Sequence, residues 1–354
     1  MTPRERVMAA IDHQPTDRVP ADLWAEEEVW ERLIRDLGAR SRDDMLERFD
    51  VDLRYVSPVY PPDVISNGVK QNMWGERWMM ANTPWGMNWE HVNGVLADVS
   101  SLDEIEAFSW PSCDDVDYSS LAQQCDRYDG YAIAYGNADI FERPALVRGW
   151  ENFLCDTALN PDWANWITKT FLDFYVEDFT RCLEATRGRI DIFWALTDVG
   201  TQAGLLQSRE TFHRFIAPPI RTLAQLAHSH GVKFMFHSCG AVRELIPDLI
   251  ALGVDILNPI QPAAAGMAPE GLKRDYGEKL CFHGGIDIQY LLPLESAETV
   301  RAEVRRRVEI LGKGGGYILA PSHNLQQDIS TKNIRAMYDL DLRVPGAASF
   351  AGSH

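Results

Sequence analysis

The sequence predicts an α/β fold of the (β/α)8 TIM-barrel class, with a hairpin or lid inserted after the second strand. Three observations lead there. Eight short β-rich runs recur along the chain, at residues 19–24, 52–57, 131–136, 190–196, 232–237, 254–258, 280–283 and 316–320, and a helical stretch follows each. Between them apolar residues return at helical spacing, most clearly at Val300, Val304 and Val308, and glycines such as Gly231 and Gly253 stand where helices would stop. Eight such alternations point to a closed barrel, and a chain of 354 residues is long enough for one barrel with insertions.

In chain order, residues 61–99 depart first from the ideal pattern, being rich in Trp, Asn, Gly and Met, and read as the hairpin or lid over the barrel mouth. Residues 168–187 make an unusually long helix. Pro218-Pro219 falls in a helical region and marks a break with a second helix starting there, because proline lacks the N–H that a helix interior needs. Gly314-Gly315-Gly316 precedes a strand and no helix follows directly, so the run from Gly312 reads as a helix stop and tight turn, not as a phosphate loop. Residues 1–345 form one domain on this reading and 346–354 a flexible tail.

Composition closes off several classes of function. No apolar run reaches the roughly 18 to 20 residues of a membrane span, and Arg4, Glu5 and Arg6 stand where a signal peptide would need an apolar core, so a soluble cytoplasmic protein is expected. Six cysteines are scattered without paired spacing, as in a chain that keeps its thiols reduced. A formal charge of -18 argues against nucleic acid, whose recognition needs a basic surface. The expected partner is a small-molecule substrate.

Candidate chemistry gathers where the expected strands end. His237 and Cys239 lie two apart at the end of the fifth run, so in extended backbone they point the same way and make half of a zinc site. The same level carries Asp22 and Trp24 after the first run, Tyr55 after the second, Asn137 after the third, and Asp198 and Gln202 after the fourth. Asn258 and Gln261 follow the sixth, His283 and Asp287 the seventh, and His323 with Asn324 the eighth. Carboxyl ends of strands are where barrels of this class place their sites. Each residue taken singly could as well cap a turn or satisfy loop backbone, but a whole ring of them marks a site. His228 and His230 sit near a helix end, and His13, His91, His213 and His354 have no converging partners.

Nearly the whole chain resembles the uroporphyrinogen decarboxylase superfamily. Thr2-Pro3-Arg4-Glu5-Arg6 through Asp17-Arg18-Val19-Pro20 is similar to its opening, and His237-Ser238-Cys239-Gly240, Gly253 to Pro259 and His283-Gly284-Gly285-Ile286-Asp287 resemble the core of its methyltransferase-like members. The resemblance is closer to the cobalamin-dependent methyltransferase branch than to true uroporphyrinogen decarboxylases. The latter carry an arginine motif, approximately R-Q-A-G-R-Y, where this chain has Asp22-Leu23-Trp24-Ala25-Glu26-Glu27-Glu28, and three glutamates would repel a polycarboxylate.

The resemblance implies a zinc site made by His237, Cys239 and a third ligand after the last strand. That position is His323 here, where the methyltransferases read approximately P-G-C-G and the decarboxylases carry histidine; imidazole is also a good zinc ligand. It further implies a corrinoid (cobalamin) cofactor, free or on a partner protein, and transfer of a methyl group to or from a small molecule. On this expectation Asp198, His283 and Gln202 are the catalytic residues. Asp22, Trp24, Tyr55, Asn137, Asn258, Gln261 and Asp287 bind substrate or cofactor, and Trp24, Tyr55, Trp74 and Trp85 supply apolar walls. The rival expectation is a decarboxylase or lyase of a smaller carboxylic acid, held by Arg54, Arg143 or Arg148.

Overall fold

The computed structural model describes residues 1–83, 86–92 and 94–344; Trp85 and the tail 346–354 lie outside the described residues. Its centre is a curled, parallel seven-stranded sheet. The strands in chain order are β1 (Leu53–Tyr55), β6 (Ala132–Asp139), β7 (Ile192–Leu196), β8 (Lys233–His237), β9 (Ile256–Ile260), β10 (Cys281–Ile286) and β11 (Tyr317–Pro321), hydrogen-bonded in that same order. Seven of the eight expected runs therefore become strands. The numbers between belong to the insertion: β2 (Val64–Ser66), β3 (Val69–Gln71), β4 (Arg77–Thr83) and β5 (Gly86–His91) form a separate antiparallel sheet.

The first run, 19–24, is the exception. It is irregular, with isolated bridges from Ala21 to Leu319 and from Ala25 to Leu325. Pro20 cannot donate to a ladder, and Asp22 turns its carboxylate back onto the Leu23 N–H (2.8 Å). The segment nevertheless bonds to both edges of the sheet: Asp22 N donates to Leu319 O, Leu319 N to Pro20 O and Asp52 N to Ala21 O, each at 2.8 Å.

Both faces of the sheet are covered, which is why β9, β10 and β11 are buried along their whole length. Inward-pointing residues follow the period of two. Leu53, Ala132, Ile192, Met235, Ile256, Cys281 and Ile318 form an inner cluster, sealed at the amino ends of the strands by Val7 and Ile11 of the first helix (Pro3–Ile11). Two residues further along the same strands come Tyr55, Trp194, His237, Asn258 and His283. The inner core thus acts as the floor beneath the candidate site.

Three strands are registered by a shared device. Asp52, Asp191 and Asp255 each stand one residue before a strand, in Val51-Asp52-Leu53, Ile190-Asp191-Ile192 and Val254-Asp255-Ile256. Each carboxylate accepts a backbone N–H from the preceding segment: Ala21 (2.8 Å), Ile133 (3.0 Å) and Phe234 (2.7 Å) respectively. Each carbonyl accepts from the following strand, at Ala132, Lys233 and Cys281. One residue type thereby ties three consecutive chain segments and sets their stagger.

The helices follow the expected pattern with extensions. The long helix runs Pro161–Thr186, 26 residues, with Pro161 at its first turn. The double proline opens the helix Ala217–Ser229, preceded by a π-helical turn at Phe212–Ile216. The helix Ala297–Leu311 buries Val300, Val304 and Val308, and Gly253 caps the helix Ile246–Leu252 in the left-handed region at φ +96°.

Candidate metal centre and its pocket

His237 is the last residue of β8, and the chain then turns so that Cys239 faces back toward it, with Cys239 Sγ 3.7 Å from His237 Nε2. Three backbone-directed bonds hold that turn: Cys239 N donates to Asp198 Oδ1 (2.8 Å), Gly240 N to Gln261 Oε1 (2.9 Å), and Val199 N to Ser238 Oγ (3.0 Å). His323, just after β11, completes the group: the ligating atoms of His237, Cys239 and His323 all lie within 4.8 Å of one another. For a tetrahedral centre with an Nε2 ligand at roughly 2.0 Å and a sulfur at roughly 2.3 Å, the two donors sit roughly 3.5 Å apart, close to the separation here. The donor set therefore fits a zinc-type ion with one position left open.

Burial acts on these groups in opposite directions. It pushes the His237 imidazole well below its ordinary value, although Asp198 opposes it, and it lowers His323 too, the direction that favours the neutral, ligating form of each ring. Burial, with Asp198 and Glu142 adding negative charge, pushes the Cys239 thiol far up. A thiol in that setting ionises when a cation takes the proton's place.

Behind His237 lies a buried polar chain. His237 Nδ1 is 2.5 Å from Asn258 Oδ1, Asn258 Nδ2 is 2.5 Å from His283 Nδ1, and His283 Nε2 is 2.9 Å from Asp22 Oδ2. Tyr55 donates its hydroxyl to the same carboxylate oxygen at 2.6 Å. Asp22, Asn258 and His283 are at most 1% exposed. Above this chain Trp24 stacks on the His237 ring (centroids 6.0 Å apart) and packs against Trp194 (5.5 Å), Tyr55 and His283. A cavity of about 580 Å³ opens beside His237 and His323, lined also by Asp22, Trp24, Tyr55, Trp194, Leu196 and Asn324.

The sequence-predicted residues divide accordingly. His237, Cys239 and His323 converge, with Asp198 beside them at 3.8 Å from His237 Nε2. Gln202 and Gln261 meet each other at the rim (3.0 Å). Asn258 and His283 lie beneath the ligands, not around an open space, and Asp22 joins them while also lining the cavity. Asp287 accepts the backbone N–H groups of Tyr290 and Leu291, so its carboxylate is spent on the turn that leads into the helix Leu291–Leu294. The side chain of Asn137 is outside the described residues. Trp74 is buried against the long helix, stacked on its Phe171 at 4.2 Å, and lines a different cavity of about 270 Å³ together with Arg143. Arg148 is consumed by Asp156 (2.7 Å), while Arg54 lines the main cavity. Trp194 and Leu196 were missed, although Ile192, Trp194 and Leu196 alternate with the period of two that marks an inward face.

A family model described as Uroporphyrinogen decarboxylase (URO-D) matches residues 148–341. Among solved structures, a methyltransferase from Methanosarcina mazei superposes over 96% of this chain and 98% of its own, with a TM-score of 0.66 at 15% identity. A D-psicose 3-epimerase from Clostridium cellulolyticum H10, solved with D-tagatose, covers 68% of this chain and 78% of its own with a TM-score of 0.39 at 13% identity. No match is found among curated protein sequences. With more than half of its length matched by that one model, this chain belongs to the uroporphyrinogen decarboxylase (URO-D) family.

Proposed function

We propose that the chain is a zinc- and corrinoid-dependent methyltransferase, moving a methyl group between a corrinoid, free or on a partner protein, and a small molecule. The carrying observation is the convergence of His237, Cys239 and His323 within 4.8 Å at the carboxyl ends of the strands. On the same reading residues 20–22 close the sheet into a barrel, residues 1–345 form one domain and the β2 to β5 sheet is its lid. The corrinoid part rests on the sequence resemblance, and the fold likeness to a methyltransferase agrees with it.

His237, Cys239 and His323 would hold the ion, which supplies Lewis acidity at its open position toward an oxygen or sulfur of the donor or acceptor. Asp198 keeps the Cys239 turn in place through its 2.8 Å bond and has a carboxylate, 37% exposed, that can take or return a proton at the open side. Gln261 and Gln202 fix the rim. Trp24, Tyr55 and Trp194 give apolar walls that exclude water from the reacting atoms. A histidine in place of a second thiolate leaves the centre less electron-rich, which disfavours a thiol acceptor.

Full-length protein purified without chelator should contain about one zinc per chain by elemental analysis. Cys239→Ser should lose most of it, while circular dichroism stays that of the wild type because the fold rests on packed strands and helices. Equal zinc in both proteins removes this reading.

One observation favours the rival decarboxylase or lyase of a small carboxylic acid. Arg54 is 2% exposed, lines the cavity, and its Nη2 has no hydrogen-bond partner among the described residues. A carboxylate there would satisfy it. Release of carbon dioxide from candidate acids by zinc-free protein, abolished in Arg54→Met, would place that reading first.

A further inference from the structure

Asn258 touches two imidazoles at once, and the proton positions along that contact can be worked out from its far end. The Asp22 carboxylate only accepts, so His283 Nε2, 2.9 Å away, must carry a proton and donate it. Asn258 Nδ2, which can only donate, lies 2.5 Å from His283 Nδ1, so that nitrogen accepts and the ring carries its single N–H on Nε2. That orientation turns Asn258 Oδ1 toward His237, whose Nδ1 must then be the donor, at 2.5 Å. The lone pair of His237 is left on Nε2, the nitrogen that faces Cys239 Sγ at 3.7 Å. Asp22 itself cannot turn away, since Leu23 N and Tyr55 Oη donate to its two oxygens at 2.8 and 2.6 Å.

We propose that Asp22, His283 and Asn258 are positioning residues that lock His237 in its Nδ1–H form, so that Nε2 is presented as a ligand before any metal arrives. The proposal rests on reading His237 as a metal ligand, and it removes His283 from the set that meets substrate, leaving Asp22 with one side on the cavity wall. The burial of His283 agrees: it is 1% exposed, packs against Trp24 with ring centroids 5.6 Å apart, and is not among the residues that line the cavity. Without the chain, a neutral His237 is free to place its proton on Nε2, where it blocks ligation.

The test uses full-length, metal-free protein labelled with 15N-histidine, its ring signals assigned with His237→Gln and His283→Gln. Wild-type His237 should show a protonated Nδ1 and a bare Nε2, and His283 the reverse. Asn258→Asp keeps an acceptor for His237 and should preserve both its tautomer and its zinc affinity within about threefold. Asn258→Leu fills the same space without an acceptor, and should lose the tautomer preference and weaken zinc binding by roughly 10- to 100-fold, the usual effect of removing such a partner. A space-filling role predicts the opposite order, with leucine tolerated and a buried carboxylate not. Protonated Nε2 on wild-type His237, or an Asn258→Leu protein with wild-type tautomer and zinc affinity, overturns the proposal. Should Asn258→Leu fail to fold, the wild-type and Asn258→Asp spectra still decide. A wild-type chain that shows the expected tautomers yet binds no zinc would sink the metal reading alone and leave the tautomer lock standing.

Discussion

At Gly240 the backbone adopts φ +85°, and a Cβ there would come 2.6 Å from the Thr201 carbonyl oxygen. The turn that carries Cys239 is therefore packed against the loop after β7 with no room for a side chain. Gly240→Ala should cost about 1–3 kcal/mol of stability through strain at that φ and displacement of the turn. It should also weaken zinc binding, since Cys239 is the neighbouring residue; thermal melts and chelator competition check both, and an unchanged zinc affinity would show that the turn tolerates movement. Period two made His237 and Cys239 legible as a pair, and the same rule applied to Ile192, Trp194 and Leu196 would have found the missing pocket wall. It could not say that Asn258 and His283, at the same level, would be spent on one another. That depends on how neighbouring strands are staggered, which is a property of the packed sheet.

At the scale of elements, the aspartates before β1, β7 and β9 deserve a quantitative test. Asp191 accepts the Ile133 N–H through one oxygen (3.0 Å) and the Arg4 guanidinium through the other (2.8 Å), and is 5% exposed. Asp191→Ala leaves a buried N–H without its partner and should cost about 2–3 kcal/mol, read from urea denaturation, with zinc binding intact because the change lies at the opposite ends of the strands. A loss below about 0.5 kcal/mol would mean that the ladder bonds alone set the stagger. Strands in the sequence were visible as apolar runs because both faces are buried, and the long helix because its period holds for 26 residues. Residues 19–24 carry the same apolar pattern but also Pro20 and Asp22, so the segment bonds at the sheet edges without becoming a regular strand.

For the molecule as a whole, acidity is the condition most directly tied to its electrostatics. Burial pushes the Asp17 carboxyl up, but the two-pronged Arg6 bond (2.6 and 2.8 Å) and the amino terminus outweigh it, so Asp17 is held below the usual carboxylate range. A carboxyl depressed on folding contributes stability that is full above its unfolded value, roughly 3.9, and is lost as pH falls further through its folded value. Denaturation midpoints measured from pH 6 to pH 2 should fall below about pH 4, and Asp17→Asn should be less stable at pH 6 with a shallower acid dependence. An equally steep decline in that variant would assign the acid sensitivity to other carboxylates. Among the described residues no helix is long and apolar enough to cross a membrane, in line with the composition.

The amino-acid order by itself determined the alternation of strands and helices and the His237–Cys239 pair, because periodicity and local spacing are properties of neighbours in the chain, and it carried the family resemblance that pointed to His323 as a third ligand. What only the tertiary structure decided was which polar residues stand in the open and which stand behind. Asp287 was spent on the turn before a short helix, Trp74 packed in the core against the long helix, and Asp22, Asn258 and His283 became a buried chain beneath His237. Those outcomes turn on contacts between residues as far apart as Asp22 and His283, and desolvation, which sets the cost of every unpaired polar group, exists only once such segments have closed over one another.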